Sequence, residues 1–492
     1  MDLSVYLRRI DETIAAGPYD ATWQSLTEHK MPEWYDRGKL GIFIHWGIYS
    51  VPAFGNEWYS RNMYDPSREE FAHHRKTYGE HKKFGYKDFI PMFRGEKFDA
   101  KEWVSLFKEA GARYIMPVAE HHDGFAMYDT AFNRWNAVNM GPRRDVIGQL
   151  KEEAEKAGIS FCASLHRAEH YFFMNMGRTF ESDVSEEVYQ DFYGPAVCIP
   201  EFRSGKMSPI TETPSAVGPS EEWLQDWMVR TCEFIERYQP KVLYFDWWIQ
   251  NHAFKPYLKK IAAYYYNLAS QWGAEVSINY KREAFPPGVG TFDVERGALT
   301  GISPIPWQTC TAIGKSAWGY RADNVYKTSR QVICDLIDIV SKNGRLLLNV
   351  GPRSDGTITE EETRVLRDIG AWLRINGEGI YDTKPWKWFG EGRVNAAEGF
   401  FMDGDEKAYT ASDFRFTYRG GILYAFQMRP EGEIVRITSL AEKGMYDFLI
   451  DDVDLMSYDG KISYERTGEA LIITLPEAFS TDFPICFRIH LM

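Results

Sequence analysis

The stretch FDAKEWVSLFKEAGARYIMPVAEHHDGF, Phe98–Phe125, decides the architecture. Asp99 stands where a helix N-cap belongs, and Glu102 three residues on completes the pattern of a capping box. Trp103, Leu106, Phe107 and Ala110 share one helical face, and Gly111 ends the helix. The apolar run Tyr114–Ala119 follows at once. It is short and continuous, as expected of a strand covered on both faces in a parallel sheet. It runs out into four polar residues, Glu120, His121, His122 and Asp123.

The same texture repeats on either side. Gly41–Trp46, Ser160–Leu165, Lys241–Asp246, Glu275–Tyr280 and Arg345–Val350 are further short apolar runs. Amphipathic segments lie between them. Trp223, Trp227, Thr231 and Ile235 are spaced by four, which reads as a helix core face, and Val332, Leu336 and Ile339 mark another helix, ended by Asn343-Gly344. Strand–helix alternation over some 350 residues, with no GxGxxG or GxxxxGK[ST] loop after the first strand, predicts a (β/α)8-like TIM barrel rather than a doubly wound sheet. Two long insertions, Val51–Lys97 and Arg167–Pro219, follow strand C-termini and are expected to wall the active-site face.

From about residue 380 the pattern changes. GILYAFQM, EIVRITSL, ALIITLP and CFRIHL alternate or run apolar between turns, the signature of an antiparallel β-sandwich. The predicted domains are 1–380, the catalytic barrel, and 381–492, the C-terminal sandwich, whose simplest role is to pack against the barrel.

Composition narrows the function. Aromatic residues reach 15%, with 16 Trp, 29 Tyr and 31 Phe, which suggests a ligand that stacks on rings. With 57 basic against 70 acidic residues and no basic stripe, a nucleic-acid partner is not expected. No apolar run of membrane-spanning length is present, so no membrane partner is expected either. The N-terminal stretch has Arg8 and Arg9 but no apolar segment after them, and the expected location is cytoplasmic. Six scattered cysteines (Cys162, Cys198, Cys232, Cys310, Cys334, Cys486) without a CxxC pair read as buried, reduced thiols.

Polar residues gather where the apolar strands end: His45, then Glu120 to Asp123, then His166, Asp246, Asn279 and Lys281. Charge at such a place is costly to leave idle in a partly enclosed pocket. Asp246 in YFDWW and Glu295 in FDVERG could serve as the carboxylate pair of a glycosidase, one ionised and one protonated. The plainer readings are a buried strand-end cap for Asp246 and a local pair with Arg296 for Glu295. The histidines admit three readings: metal ligands, hydrogen-bonding partners of a polyhydroxylated ligand, or satisfied core residues. His121 and His122 are adjacent and would face opposite sides of an extended strand, and no HxH or HExxH spacing is present, so sugar binding outranks metal. Trp46, Trp58, Trp247, Trp248 and Trp318 lie in or beside these motifs, where a pyranose could stack.

Several long motifs carry a resemblance to the α-L-fucosidases of glycoside hydrolase family 29. They are KLGIFIHWGIYSVPAFGNEWYSRNMY, the Phe98–Phe125 stretch, WNAVNMGPRRDVIGQLKEEAEKAG, VLYFDWW, PWQTCTAIGKSAWGY, NGRLLLNVGPRSDGTI and WLRINGEGIYDTKPW. The resemblance covers the chain from about Met31 onward, with ASDFRFTYRGGILYAF similar to the family's sandwich. It implies a retaining, exo-acting hydrolysis of terminal α-L-fucosyl residues, with Asp246 as nucleophile and Glu295 as acid/base. It further implies a sugar site formed by His45, Glu57, Trp58, His121, His122, Tyr244, Lys281 and Trp318, with no metal or other cofactor. The implied partner is a fucosylated glycan or small fucoside, and self-association is left open. The chain departs from the family pattern at Glu120, where Lys is common, at Leu165 and His166, at Lys281, where Arg is common, and in lacking the usual Gly after Asp246. Two alternatives stand beside this reading. One is a metal-dependent barrel hydrolase using His45, His121, His122 and Asp246. The other is a non-catalytic fucose-binding relative, which the retained carboxylate pair disfavours.

Overall fold

A computed structural model describes residues 3–197, 218–442, 448–477 and 479–492 of the chain. Cys198 and residues 198–217 of the second insertion lie outside the described residues. Eight parallel strands form the first domain: β1 (Leu40–Ile44), β2 (Tyr114–Glu120), β3 (Ser160–Phe161 continuing as Ala163–Leu165), β4 (Val242–Phe245), β5 (Ser277–Tyr280), β6 (Thr291–Phe292), β7 (Trp307–Ala312) and β8 (Gly344–Val350). They pair in sequence order, β8 pairs back onto β1, and a parallel bridge between Asp293 and Gln308 closes β6 onto β7. The result is the expected TIM barrel.

Six helices follow strands of the barrel: α1 (Ala100–Glu109), α2 (Val146–Ala157), α3 (Glu221–Tyr238), α4 (Lys255–Trp272), α5 (Ser329–Ser341) and α6 (Glu360–Asn376). Five of them start on a side-chain cap, from Asp99, Asp145, Ser220, Thr328 and Thr359, each accepting from a backbone N–H of the first turn. Trp223 and Trp227 are buried on α3, as the spacing predicts. Regular alternation fails in one sector. Among the described residues no α-helix lies between β5 and β6 or between β6 and β7, where loops make the crossings, the first with a single 3-10 turn at Arg282–Ala284.

The barrel interior is filled by a cluster of its own, including Phe43, Met116, Val118, Val242, Tyr244, Cys310 and Leu347. These side chains set the frame for the site. Side chains two residues apart on a strand share a face, so the positions just beyond the inward-facing set project from the barrel mouth. Phe43 is thus followed by His45 and Tyr244 by Asp246, and the same offset separates Ser164 from His166 and Leu347 from Asn349.

The C-terminal domain is a sandwich of a five-stranded and a three-stranded antiparallel sheet. The first runs in the order β9 (Lys384–Glu391), β10 (Phe414–Arg419), β11 (Ile422–Gln427), β16 (Ile485–Leu491), β13 (Ile450–Leu455). The second runs β12 (Ile434–Ile437), β15 (Leu471–Thr474), β14 (Ser463–Arg466). The five described cysteines are buried free thiols, and no described helix is long and apolar enough to cross a membrane.

A buried ionic knot fastens the two domains. Asp338 on α5 accepts from Arg415 Nε of β10 at 2.5 Å and from Lys342 Nζ at 2.8 Å. All three groups are sealed from water. Removing the shared carboxylate leaves two cations buried without it, so Asp338→Ala should cost about 3–5 kcal/mol. Denaturant unfolding checks this, and a change within about 0.5 kcal/mol, as at an ordinary surface position, would contradict it.

Candidate active site

The barrel mouth holds a cavity of about 340 Å³, at the small end of the range for ligand pockets. Phe43 and Tyr244 line it from the barrel interior. His45, Glu57, Trp58, His121, His122, Tyr244, Asp246, Lys281, Glu295 and Trp318 all line it, so the structure brings every predicted site residue to one place. His166, Glu169, Arg61 and Phe401 line it as well. His166 is visible in the sequence as a strand end and a departure from the family pattern, and the other three are not singled out there at all.

At the centre is Lys281. Its Nζ donates to Asp246 Oδ1 at 2.6 Å and also to Glu295 Oε2. Glu295 accepts in addition from Trp247 Nε1 at 2.5 Å. It does not pair with Arg296, which instead lies over the Trp318 ring at 4.6 Å and near Asp403. Burial alone would raise the Asp246 pKa, but Lys281 and then His166 hold it well below the usual carboxylate range. Burial would strip the proton from Lys281, and Asp246 and Glu295 hold it there far above the ordinary lysine range.

Two imidazoles face the other oxygen of Asp246. His166 Nδ1 lies 3.1 Å from Oδ2 and His122 Nε2 lies 3.4 Å from it. His122 Nδ1 is bonded to the His166 carbonyl at 2.8 Å. Against burial, Glu169 and the bond to Asp246 push the His122 pKa up to about 9. His45, His121 and His166 go the other way, lowered mainly by burial.

The tautomer of His45 follows from its neighbours. Asn349 Nδ2 donates to the Trp318 carbonyl at 2.7 Å, so its Oδ1 must accept from His45 Nδ1, 2.6 Å away. Nε2 of His45 is left as an acceptor for a ligand hydroxyl. Glu57 accepts from the backbone N–H groups of Trp318 and Gly319, at 2.9 and 3.4 Å, and so fixes the Trp318 loop. Burial raises the Glu57 pKa despite those bonds.

His121 and His122 meet in the cavity because the chain does not stay extended there. The β2–β3 pairing shifts register between Val118 and Glu120, and Gly124 adopts φ +81° just beyond. The departure at Glu120 has a physical partner: Glu120 accepts from Arg167 at 2.6 Å, both buried, so the acidic residue stands opposite a local cation. Trp46 is not a cavity residue. It packs against Phe93, Phe98 and Trp103, with Nε1 donating to the Arg353 carbonyl.

Two groups have metal-like spacing: His45, His121 and His166, and His122, His166 and Asp246, each with ligand atoms within 4.8 Å of one another. In the second group the Lys281 ammonium already sits on Asp246 and His122 is held protonated, which opposes a cation there. In the first, His45 keeps Nε2 free beyond its bond to Asn349, and that nitrogen is open to a sugar hydroxyl or a cation alike.

The family model for α-L-fucosidase matches residues 7–378. The chain belongs to the α-L-fucosidase family. It is 30% identical to plasma α-L-fucosidase of Homo sapiens over 390 residues, 76% of this chain and 74% of that one. Tissue α-L-fucosidase of Rattus norvegicus is 26% identical over 489 residues, 96% of this chain and 92% of that one. Among solved structures, the Thermotoga maritima α-fucosidase superposes with a TM-score of 0.75 at 28% identity, covering 96% of this chain and all of its own. That enzyme has also been solved in complex with fucose, with the same TM-score and coverage. As a member of this family the protein is a glycoside hydrolase with a barrel and a sandwich.

Glu169 is the site residue with the most unusual setting. It is buried, its Oε2 has no hydrogen-bond partner among the described residues, and burial pushes its pKa up to about 7. It therefore holds its proton better folded than unfolded. Its contribution to stability is complete below about pH 4.5 and is lost as pH rises through about 7. Glu169→Gln cannot ionise and should flatten the decline in unfolding free energy over that window. Denaturant melts across the window check this, and an unchanged slope would show that Glu169 titrates normally.

Proposed function

We propose that the protein hydrolyses terminal α-L-fucosyl residues of glycans or small fucosides by double displacement, with retention of configuration. The observation that carries this reading is the single ammonium shared by Asp246 and Glu295. Two acceptors of one ammonium stand at most about 6 Å apart. Retaining glycosidases hold their carboxyl groups about 5–5.5 Å apart, whereas inverting ones leave about 6.5–9.5 Å for a water. The small cavity suits one terminal ring, hence exo action.

In the first step an Asp246 oxygen forms a bond to the anomeric carbon. The bond from that carbon to the leaving oxygen breaks, and Glu295 gives its proton to that oxygen. In the second step Glu295 takes a proton from water, the water oxygen attacks the anomeric carbon, and Asp246 leaves as carboxylate. Lys281 keeps the charge balanced throughout. Before attack the negative charge sits on Asp246, and in the glycosyl–enzyme it sits on Glu295. The ammonium touches both, so neither state buries an unpaired charge. His45 Nε2 accepts from a ring hydroxyl, His121 and Glu57 offer further polar contacts, and Trp58 and Trp318 bound the ring.

Asp246→Gly should lower turnover by on the order of 10⁴-fold or more. Azide should restore part of it by entering the space and forming β-L-fucosyl azide. Glu295→Ala should cost about 10²–10⁴-fold on substrates with poor leaving groups and little on activated aryl fucosides. Steady-state kinetics with product analysis checks both. Normal turnover without Asp246, or equal losses on both substrate types without Glu295, would reassign the roles.

A further inference from the structure

One cavity residue comes from the C-terminal domain, beyond the region that the family model matches. Phe401 lies in the segment Phe400–Asp403, in the connection between β9 and β10 of the sandwich. It is 55% exposed, and its neighbour Met402 is 50% exposed. Its backbone is left-handed, with φ +59°, a conformation a phenylalanine rarely adopts and which costs on the order of 1–3 kcal/mol.

The surroundings hold it there. Phe401 N donates to the Glu295 carbonyl at 2.9 Å, and Met402 N and Asp403 N donate to the Arg296 carbonyl at 2.6 and 2.9 Å. The Asp403 carboxylate accepts from Lys327 at 2.8 Å and from Thr311. The segment is thus laid directly on the residues that carry the acid/base carboxylate. The Phe401 ring stacks near-parallel to Trp247, with centroids 6.0 Å apart and an interplanar angle of 15°. Trp247 in turn donates to the Glu295 carboxylate at 2.5 Å.

An exposed phenylalanine stacked on a half-buried tryptophan at a cavity rim is unusual unless something covers it. Here the chemistry says what does. Glu295 delivers its proton to the glycosidic oxygen, so the group on the far side of that oxygen must sit beside Glu295. Trp247 and Phe401 flank that carboxylate. We propose that Trp247 and Phe401 form the binding platform for the leaving group, and that its occupant is a ring with an apolar face, the sugar to which the fucosyl residue is attached. This rests on the reading of Glu295 as acid/base. It gives the sandwich domain a part in choosing the substrate, through one residue that the barrel lacks. A pyranose C–H face and an aryl ring offer the same stacking surface, so an aryl fucoside is a fair probe.

The test compares two substrates of the full-length enzyme: 4-nitrophenyl α-L-fucoside, whose leaving group is a ring, and α-L-fucosyl fluoride, whose leaving group is one atom. The readout is the ratio of their kcat/KM values. Phe401→Ala should lower the ratio roughly 3- to 10-fold, chiefly through KM for the aryl substrate. Phe401→Gly should lower it as much, although glycine suits the left-handed backbone, and Phe401→Tyr should restore it. An unchanged ratio, whether both rates fall together or neither does, would overturn the platform while leaving the fucosidase reading intact. A wild-type enzyme that turns over neither substrate would overturn both.

Discussion

One buried ammonium, Lys281, stands between two buried carboxylates, and the rest of the site is arranged around that contact. Taking these charges out of water is expensive, and the cost is offset only when each finds partners in good geometry. Asp246 has Lys281 on one oxygen and two imidazoles on the other, while Glu295 has Lys281 and the Trp247 indole. The same contact suits the double displacement proposed for this site. A double displacement moves one negative charge from the first carboxylate to the second and back. A cation bonded to both spares the pocket an unpaired charge at either end of that transfer. His122, protonated to about pH 9, adds to the field that keeps Asp246 ionised.

Much of this was legible in the sequence because it follows from period-two strand geometry. Continuous apolar runs announce strands buried on both faces, and a polar residue at their C-terminal end announces the barrel mouth. That logic picks out His45, Asp246 and Lys281 as positions two beyond an inward residue. It stops where the strand stops being regular. His121 and His122 should face opposite ways on a flat strand, and only the register shift at Glu120 turns both into the cavity. Strands β6 and β7 escape the same reading. Thr291–Phe292 is too short to show a pattern, and Trp307–Ala312 carries Gln308 and the threonines 309 and 311 inside the barrel wall.

Tertiary partners decide the remaining cases. Glu120 looks anomalous alone and ordinary beside Arg167. Trp46, next to His45 in sequence, belongs to the core because neighbouring strand residues point to opposite faces. Glu169 lies in an insertion with no periodic signal, and its setting is evident only when burial and the unpartnered oxygen are seen. Phe401 is remote from every motif in the chain. Its place depends on backbone bonds to the Glu295–Arg296 turn and on the knot at Asp338 that fixes the sandwich to the barrel.

The aromatic excess of the composition divides accordingly. Most of it fills the core, as Trp223 and Trp227 do on α3, and a minority, with Trp58, Trp247 and Trp318, lines the barrel mouth. The carboxylate pair remains the centre of the mechanism, and trapping the covalent intermediate tests it most directly. The enzyme would be incubated with 2-deoxy-2-fluoro-α-L-fucosyl fluoride, digested, and its peptides mapped by mass spectrometry. The expected result is one fluorofucosyl adduct on Asp246, within the Val242–Trp248 peptide. An adduct on another carboxylate, or no adduct together with β-L-fucose as the first product released from an α-fucoside, would contradict it.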